Sequence, residues 1–231
     1  MQIKCLVENT SISDDFLNEH GLSIYIESKD KKILFDVGES DLFLKNAKKI
    51  NLNIAEVDFL VLSHGHYDHG GGLRVFLQEN KTAKVFVRQE AFNKQYAQHA
   101  SEKAESIGLD EDLKHSRQIV FSSDEYHIDK GIWTFSNITQ REARPKSNSG
   151  LFTEYEGQMI EDIFVHEQNL VIEEDGKTFL MTGCAHNGII YILEHFRMLK
   201  GKMPDYVIGG FHLSSRSAGN DSKATGANWF S

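Results

Sequence analysis

Cysteine and proline are nearly absent from this sequence, with two of each among 231 residues. Cys5 and Cys184 lie far apart, which argues against a disulfide framework and suits a reducing compartment. Basic residues are also in deficit: 25 Lys and Arg face 34 Asp and Glu, a formal net charge of −9. That balance argues against a nucleic-acid backbone or an anionic membrane as the main partner. No apolar run approaches the roughly 20 residues that a membrane span needs. The N-terminal stretch MQIKCLVENT lacks the apolar segment of a secretory signal. A cytoplasmic protein with a small-molecule substrate is therefore expected, and a small anionic substrate held by a metal is compatible with the charge.

What is present is ordinary globular material, 40% hydrophobic and 26% charged, enough for a core that needs no cross-links. Alternation and β-branched content predict strands over 3–8, 22–28 and 31–38. A helix is expected over 40–50, capped by Ser40, with Phe43, Ala47 and Ile50 on one face. A short buried strand follows at 57–63, a helix at 71–80 and a strand at 83–88. Residues 89–117 are polar and read as mostly helix-compatible. NLVIEEDGKTFLMTG predicts a hairpin turning at Asp175-Gly176. Residues 187–201 form the strongest helical stripe, through Ile189, Ile192, Leu193, Phe196 and Leu199, with Gly201 as a stop. DYVIGGFHL, 205–213, reads as one more buried strand. Strand and helix alternate, so the expected class is α/β. One domain over 1–213 and a flexible tail over 214–231 are expected, the tail being small, polar and without period.

The densest chemistry lies in SHGHYDHGGGL, residues 63–73. His64 and His66 are two apart and reach the same side of an extended segment. Asp68 and His69 follow where the chain turns into a helix, and their different direction suits a second ion. Imidazole and carboxylate donors suit zinc, manganese or iron. Two ions about 3.5–4 Å apart can clamp one oxygen between them, and a bound ion lowers the pKa of water to about 7. Each ion still needs ligands from elsewhere. His186 and His212, each at the end of a predicted strand, are placed to supply them, because strand ends of an α/β sheet collect ligand sites.

HGHYDH matches the H-x-H-x-D-H signature of the metallo-β-lactamase superfamily. With VENTS, HGLSIYIE, ILFDVG, EQNLVI, TGCAHNGI and GGFHL in order over residues 3–213, the chain resembles one branch of it. That branch includes 7,8-dihydropterin-6-methyl-4-(β-D-ribofuranosyl)aminobenzene-5′-phosphate synthase. The resemblance implies a four-layer αββα sandwich with a metal site at one edge of the two sheets. The family's last helix and strand are expected to be missing, since 214–231 offers neither pattern nor a histidine, and a bare sheet edge would invite a homo-oligomer.

The resemblance also implies ligands. His64, His66 and His186 would hold a first ion and Asp68 and His69 a second, with His212 as a further metal-site residue. Asp36 is similar to an aspartate that orients ligands from behind. Cys184 stands where many relatives carry a bridging aspartate, so the second ion is expected to be held less firmly. The thiol itself is read first as a small buried residue, with a thiolate ligand as the alternative. His166 occupies a place where relatives commonly carry aspartate. One or two divalent ions are expected, zinc foremost, with manganese, iron or magnesium as alternatives.

The implied activity is that of a metal-dependent hydrolase or transferase. Either metal-activated hydroxide attacks a carbonyl or phosphorus centre, with Asp68 as the catalytic carboxylate, or a metal-held diphosphate leaves a pterin alcohol. The alternative is a metal-binding protein without turnover. Flavodiiron chemistry is disfavoured because position 66 is histidine where those proteins resemble H-x-E-x-D-H. A nuclease is disfavoured by the acidic charge.

Overall fold

Alternating apolar residues decide the layers of this molecule, because successive side chains of a strand face opposite sides of its sheet. The computed structural model describes residues 1–98, 103–138, 145–215 and 219–220. In chain order the elements begin with strands β1 (Gln2–Val7), β2 (Ser23–Ser28) and β3 (Lys31–Phe35) and helix α1 (Leu42–Lys49). Then come β4 (Phe59–Val61), the single turn α2 (Tyr67–Gly70), α3 (Leu73–Glu79), β5 (Lys84–Val87), β6 (Gln95–Ala97) and β7 (Glu105–Ser106). Strands β8 (Ile119–Phe121), β9 (Glu125–Asp129), β10 (Ile132–Ser136), β11 (Leu151–Tyr155) and β12 (Gln158–Glu161) follow. Last are β13 (Gln168–Glu174), β14 (Lys177–Thr182), α4 (Ile189–Lys200), β15 (Tyr206–Gly209), β16 (Ser214–Ser215) and β17 (Gly219–Asn220).

Two sheets face each other. One has the order β1-β2-β3-β4-β5-β8 and the other β15-β14-β13-β10-β9. Ile24, Ile26, Ile33, Phe35, Phe59, Val61 and Phe86 of the first sheet meet Ile132, Leu170, Ile172 and Met181 of the second. The intervening residues point outward. Tyr25, Leu34, Leu60, Val85 and Val87 pack under Phe43 and Ala47 of α1 and Leu73 and Phe76 of α3. Trp133, Phe135, Val171 and Leu180 pack under Ile192 and Phe196 of α4. The order of layers is helix, sheet, sheet, helix, the αββα sandwich expected. It also explains the unbroken apolar run FLVL: β4 is covered on both faces, so neither face is polar.

The hairpin at Asp175-Gly176 forms as expected, with both residues at positive φ, 50° and 73°, between the paired Glu174 and Lys177. Gly201 ends α4 in the left-handed conformation. Three local expectations need correction. Helix α1 begins one residue later than Ser40 predicts: Asp41 holds the cap position, and Ser40 Oγ instead accepts the Leu42 N–H at 3.2 Å. The described residues of 89–117 contain no α-helix. They form short 3-10 turns at Gln89–Phe92 and Glu111–His115 and strands β6 and β7. There β6 pairs with β11, Gln95 opposite Thr153, so pairing with a distant segment overrides local propensity. The third is β15, expected to be a buried strand. It bonds only to β14 among the described residues and leaves Tyr206 51% exposed. Of the stretch read as a flexible tail, Ser214–Ser215 and Gly219–Asn220 pair as a small antiparallel ladder. Residues 216–218 and 221–231 lie outside the described residues.

Candidate metal centre

Parallel pairing aligns the ends of neighbouring strands, and that is how distant histidines meet here. Strands β3 and β4 run parallel in one sheet, and β14 and β15 in the other. The segments leaving them carry Asp36, His64, Cys184, His186 and His212. Sharp turns aim these segments: Asp36, Phe164, Ala185, Phe211 and His212 all have positive φ, between 36° and 62°. Such conformations cost non-glycine residues roughly 1–2 kcal/mol each and cluster at functional sites.

His64, His66 and His186 form a triangle of imidazoles. Ring centroids are 4.6 Å apart for His64–His66, 5.0 Å for His64–His186 and 4.9 Å for His66–His186, with rings inclined at 70–75°. All three are buried, and none of their Nε2 atoms has a hydrogen-bond partner. One donor atom from each lies within 4.8 Å of the others. An unpaired polar atom in the interior costs free energy unless something satisfies it, and here three converge. For His64 and His186 the opposite ring edge is occupied. His64 Nδ1 contacts Ser63 Oγ at 2.8 Å, and Ser63 Oγ donates to Asp36 Oδ2 at 2.7 Å. His186 Nδ1 donates to Asn148 Oδ1 at 2.8 Å, and Asn148 Nδ2 donates to the His186 carbonyl at 2.7 Å. These bonds place the proton on Nδ1 and leave the Nε2 lone pair free. Burial holds His64 and His186 well below the ordinary imidazole range, and burial together with His166 holds His66 at about 3. All three are therefore neutral at pH 7, the form that ligates metal.

His69 and Asp68 flank this triangle. His69 Nδ1 donates to Asp36 Oδ2 at 2.6 Å, and Asp36 Oδ1 accepts the Ser63 N–H at 2.7 Å. Asp36 thus fixes His69 and the start of the histidine loop together. His69 Nε2 faces Cys184 Sγ at 3.1 Å and Asp68 Oδ2 at 3.5 Å. Burial by itself would raise Asp68, but His69, His66 and His20 outweigh it and keep the carboxylate ionised. Donor atoms of His64, His69 and Cys184 lie within 4.8 Å of one another, as do those of Cys184, His186 and His212. His212 stands less deep than the other histidines, with its Nε2 at 3.3 Å from the Ser147 carbonyl. The six expected metal ligands, His64, His66, Asp68, His69, His186 and His212, are thus brought to one edge of the sandwich, and Asp36 and Cys184 with them.

Beyond His166, sequence reasoning did not find the buried polar staple that leads into β13. His166 Nδ1 accepts the Gly65 N–H at 3.1 Å, and its Nε2 donates to Asp162 at 3.0 Å. Both nitrogens are engaged, so His166 holds the peptide between His64 and His66; its donor atom also groups with those of His66 and Asp162 within 4.8 Å. Glu167 is fully buried and accepts from His186 N at 2.6 Å and from Asn187 N and Nδ2 at 2.9 and 2.7 Å. Gln168 donates to the Leu62 and Phe86 carbonyls at 2.7 and 3.0 Å. Three consecutive polar residues at the head of the apolar run NLVI were the available signal. Asn148 and His20 were overlooked too. His20 is 59% exposed and lies 3.4 Å from Asp68 Oδ2. Close packing sets the tolerances: a Cβ on Gly183 would lie 2.2 Å from Ser63 Oγ.

The comparisons with known proteins agree with this architecture. Residues 18–198 match the model of the metallo-beta-lactamase superfamily. An uncharacterized protein of Methanocaldococcus jannaschii is 33% identical, over 91% of this chain and 79% of its own length. The 7,8-dihydropterin-6-methyl-4-(beta-D-ribofuranosyl)-aminobenzene-5'-phosphate synthase of the same organism is 32% identical, over 86% of this chain and 72% of its own. The crystal structure of Tm1679, a metal-dependent hydrolase of the beta-lactamase superfamily, superposes with a TM-score of 0.77. It is 32% identical and covers 94% of this chain and 79% of that one. With its sandwich of two sheets and a buried histidine cluster at their shared edge, this chain belongs to the metallo-beta-lactamase superfamily.

Proposed function

We propose that the chain is a metal-dependent hydrolase or transferase acting on a small substrate. The three unpartnered, buried Nε2 atoms of His64, His66 and His186 carry this reading. They fit a zinc-class ion, which takes three protein ligands in catalytic sites and keeps an open position. His69 and Asp68 form a second position beside it, with Cys184 and His212 at its border. When bound, a divalent cation supplies a Lewis acid that polarises oxygen and stabilises developing negative charge. Asp68 then orients the attacking oxygen and accepts its proton at a carboxylate oxygen. Asp36, Asn148 and the staple at 166–168 hold the ligands in place, so little reorganisation is needed during reaction. A pterin- or phosphate-containing substrate, with diphosphate leaving, is the reading favoured by likeness to the synthase. Lactones and thioesters belong on the same panel because the fold alone does not fix chemistry.

The test is turnover of metal-loaded protein on phosphodiesters, lactones, thioesters and pterin diphosphates. One substrate class is expected to turn over, and His66→Ala and Asp68→Ala should each lower that rate by several orders of magnitude. Stoichiometric metal without turnover on any class would favour a metal-binding protein instead. Unchanged rates in both variants would remove the assignment.

A further inference from the structure

One exposed side chain at the mouth of the metal centre is delivered there by a firmly anchored backbone. The segment before β2 is held on both sides of His20. Glu19 Oε1 accepts the N–H groups of Glu39 and Ser40, each at 3.1 Å. Gly21 donates its N–H to Asn9 Oδ1 at 3.0 Å, and Leu22 donates its own to the Asp68 carbonyl at 3.2 Å. Gly21 has a φ of 127°, and a Cβ there would lie 1.9 Å from that carbonyl oxygen, so the close approach requires glycine. The His20 side chain is 59% exposed, yet its Nε2 lies 3.4 Å from Asp68 Oδ2. A carboxylate only accepts, so the ring nitrogen that faces it carries a proton. At 3.4 Å that N–H has not closed into a charge-assisted bond, which spans about 2.7–2.9 Å. His20 also reaches the other half of the cluster: burial lowers the pKa of His212 most, and His20 adds to that lowering. It belongs to none of the side-chain groups able to hold a cation among the described residues.

We propose that His20 is a substrate-binding residue whose Nε2–H donates a hydrogen bond to an anionic oxygen of the substrate, at the solvent side of Asp68. The inference rests on the metal-centre reading above. With Asp68 engaged by a cation, its carboxylate no longer holds that N–H, which is left for the next negative oxygen to arrive. The anchored neighbours Glu19, Gly21 and Leu22 keep the donor in place, so little ordering is needed on binding.

Phosphate binding tests this without turnover. Zinc-loaded protein is titrated calorimetrically with inorganic phosphate, and zinc content is determined on the same samples. Saturable phosphate binding is expected in the wild-type protein. His20→Ala should weaken it about 10-fold, the scale of one hydrogen bond to a charged group, with zinc content unchanged. His20→Gln, which carries an amide N–H at a similar reach, should recover most of the affinity. Equal phosphate affinity in His20→Ala and wild type overturns the proposal, as does zinc-loaded wild-type protein that binds no phosphate. Loss of zinc from His20→Ala also overturns it, because His20 would then serve Asp68 and the ion. Wild-type protein that takes up no stoichiometric zinc overturns the metal-centre reading as well.

Discussion

At the scale of single residues, the centre depends on fixed tautomers. Asp36 touches no ion position, yet it holds His69 by its ring nitrogen and Ser63 by both N–H and hydroxyl. Asp36→Ala should weaken metal affinity about 10–100-fold, the usual cost of losing a partner that orients a ligand. Competition with a chromophoric chelator measures it. The buried imidazoles also give a pH signature to the metal-free protein. Burial depresses His64, His66 and His186 in the folded state, His66 to about 3. In the unfolded chain they titrate near 6.5. The folded form therefore binds fewer protons between these values, and stability present above pH 6.5 is lost as pH falls. Urea midpoints of metal-free protein should drop steadily below about pH 6.5, and His66→Gln should make the drop shallower. At this scale the sequence was legible where ligands crowd together. His64, His66, Asp68 and His69 sit in six positions, and spacing alone pointed to them. Asn148, Asp162 and His20 were not legible, because a lone polar residue far away in sequence carries no signal until folding brings it to the site.

Among the elements, the start of β13 matters most to the centre. Glu167 gives a buried acceptor to three N–H groups of the His186–Asn187 turn. Burial raises its pKa, and those three bonds pull against that rise. Glu167→Ala should leave the three donors unpaired, at about 1–3 kcal/mol each. It should lower both the melting temperature and the metal affinity, and Glu167→Gln should fall between. Calorimetry with and without added zinc separates the two effects. The elements that sequence reasoning placed correctly have a strong local period or turn chemistry, as in α4 and the Asp175-Gly176 hairpin. Those it misplaced depend on distant partners. The small sheet β12-β11-β6-β7 joins segments some 50 residues apart. Its hairpin turns at Glu156-Gly157, both at positive φ, where no Asn-Gly or Asp-Gly pair announces it.

For the whole molecule, the sandwich converts sheet topology into a site. Each sheet contributes half of the cluster: His64, His66, Asp68 and His69 follow β4, and Cys184, His186 and His212 follow β14 and β15. The His64–His66–His186 triangle draws its donors from both sheets, so metal binding there should tie the two sheets together. No helix among the described residues is long and apolar enough to cross a membrane. The measurement that tests the centre most directly is anomalous diffraction from crystals of metal-loaded protein, with metal content determined on the same preparation. The expected result is a stoichiometric transition-metal peak bonded to Nε2 of His64, His66 and His186 at about 2.0–2.1 Å. A protein that takes up no stoichiometric metal, or a peak away from those three nitrogens, would contradict the account.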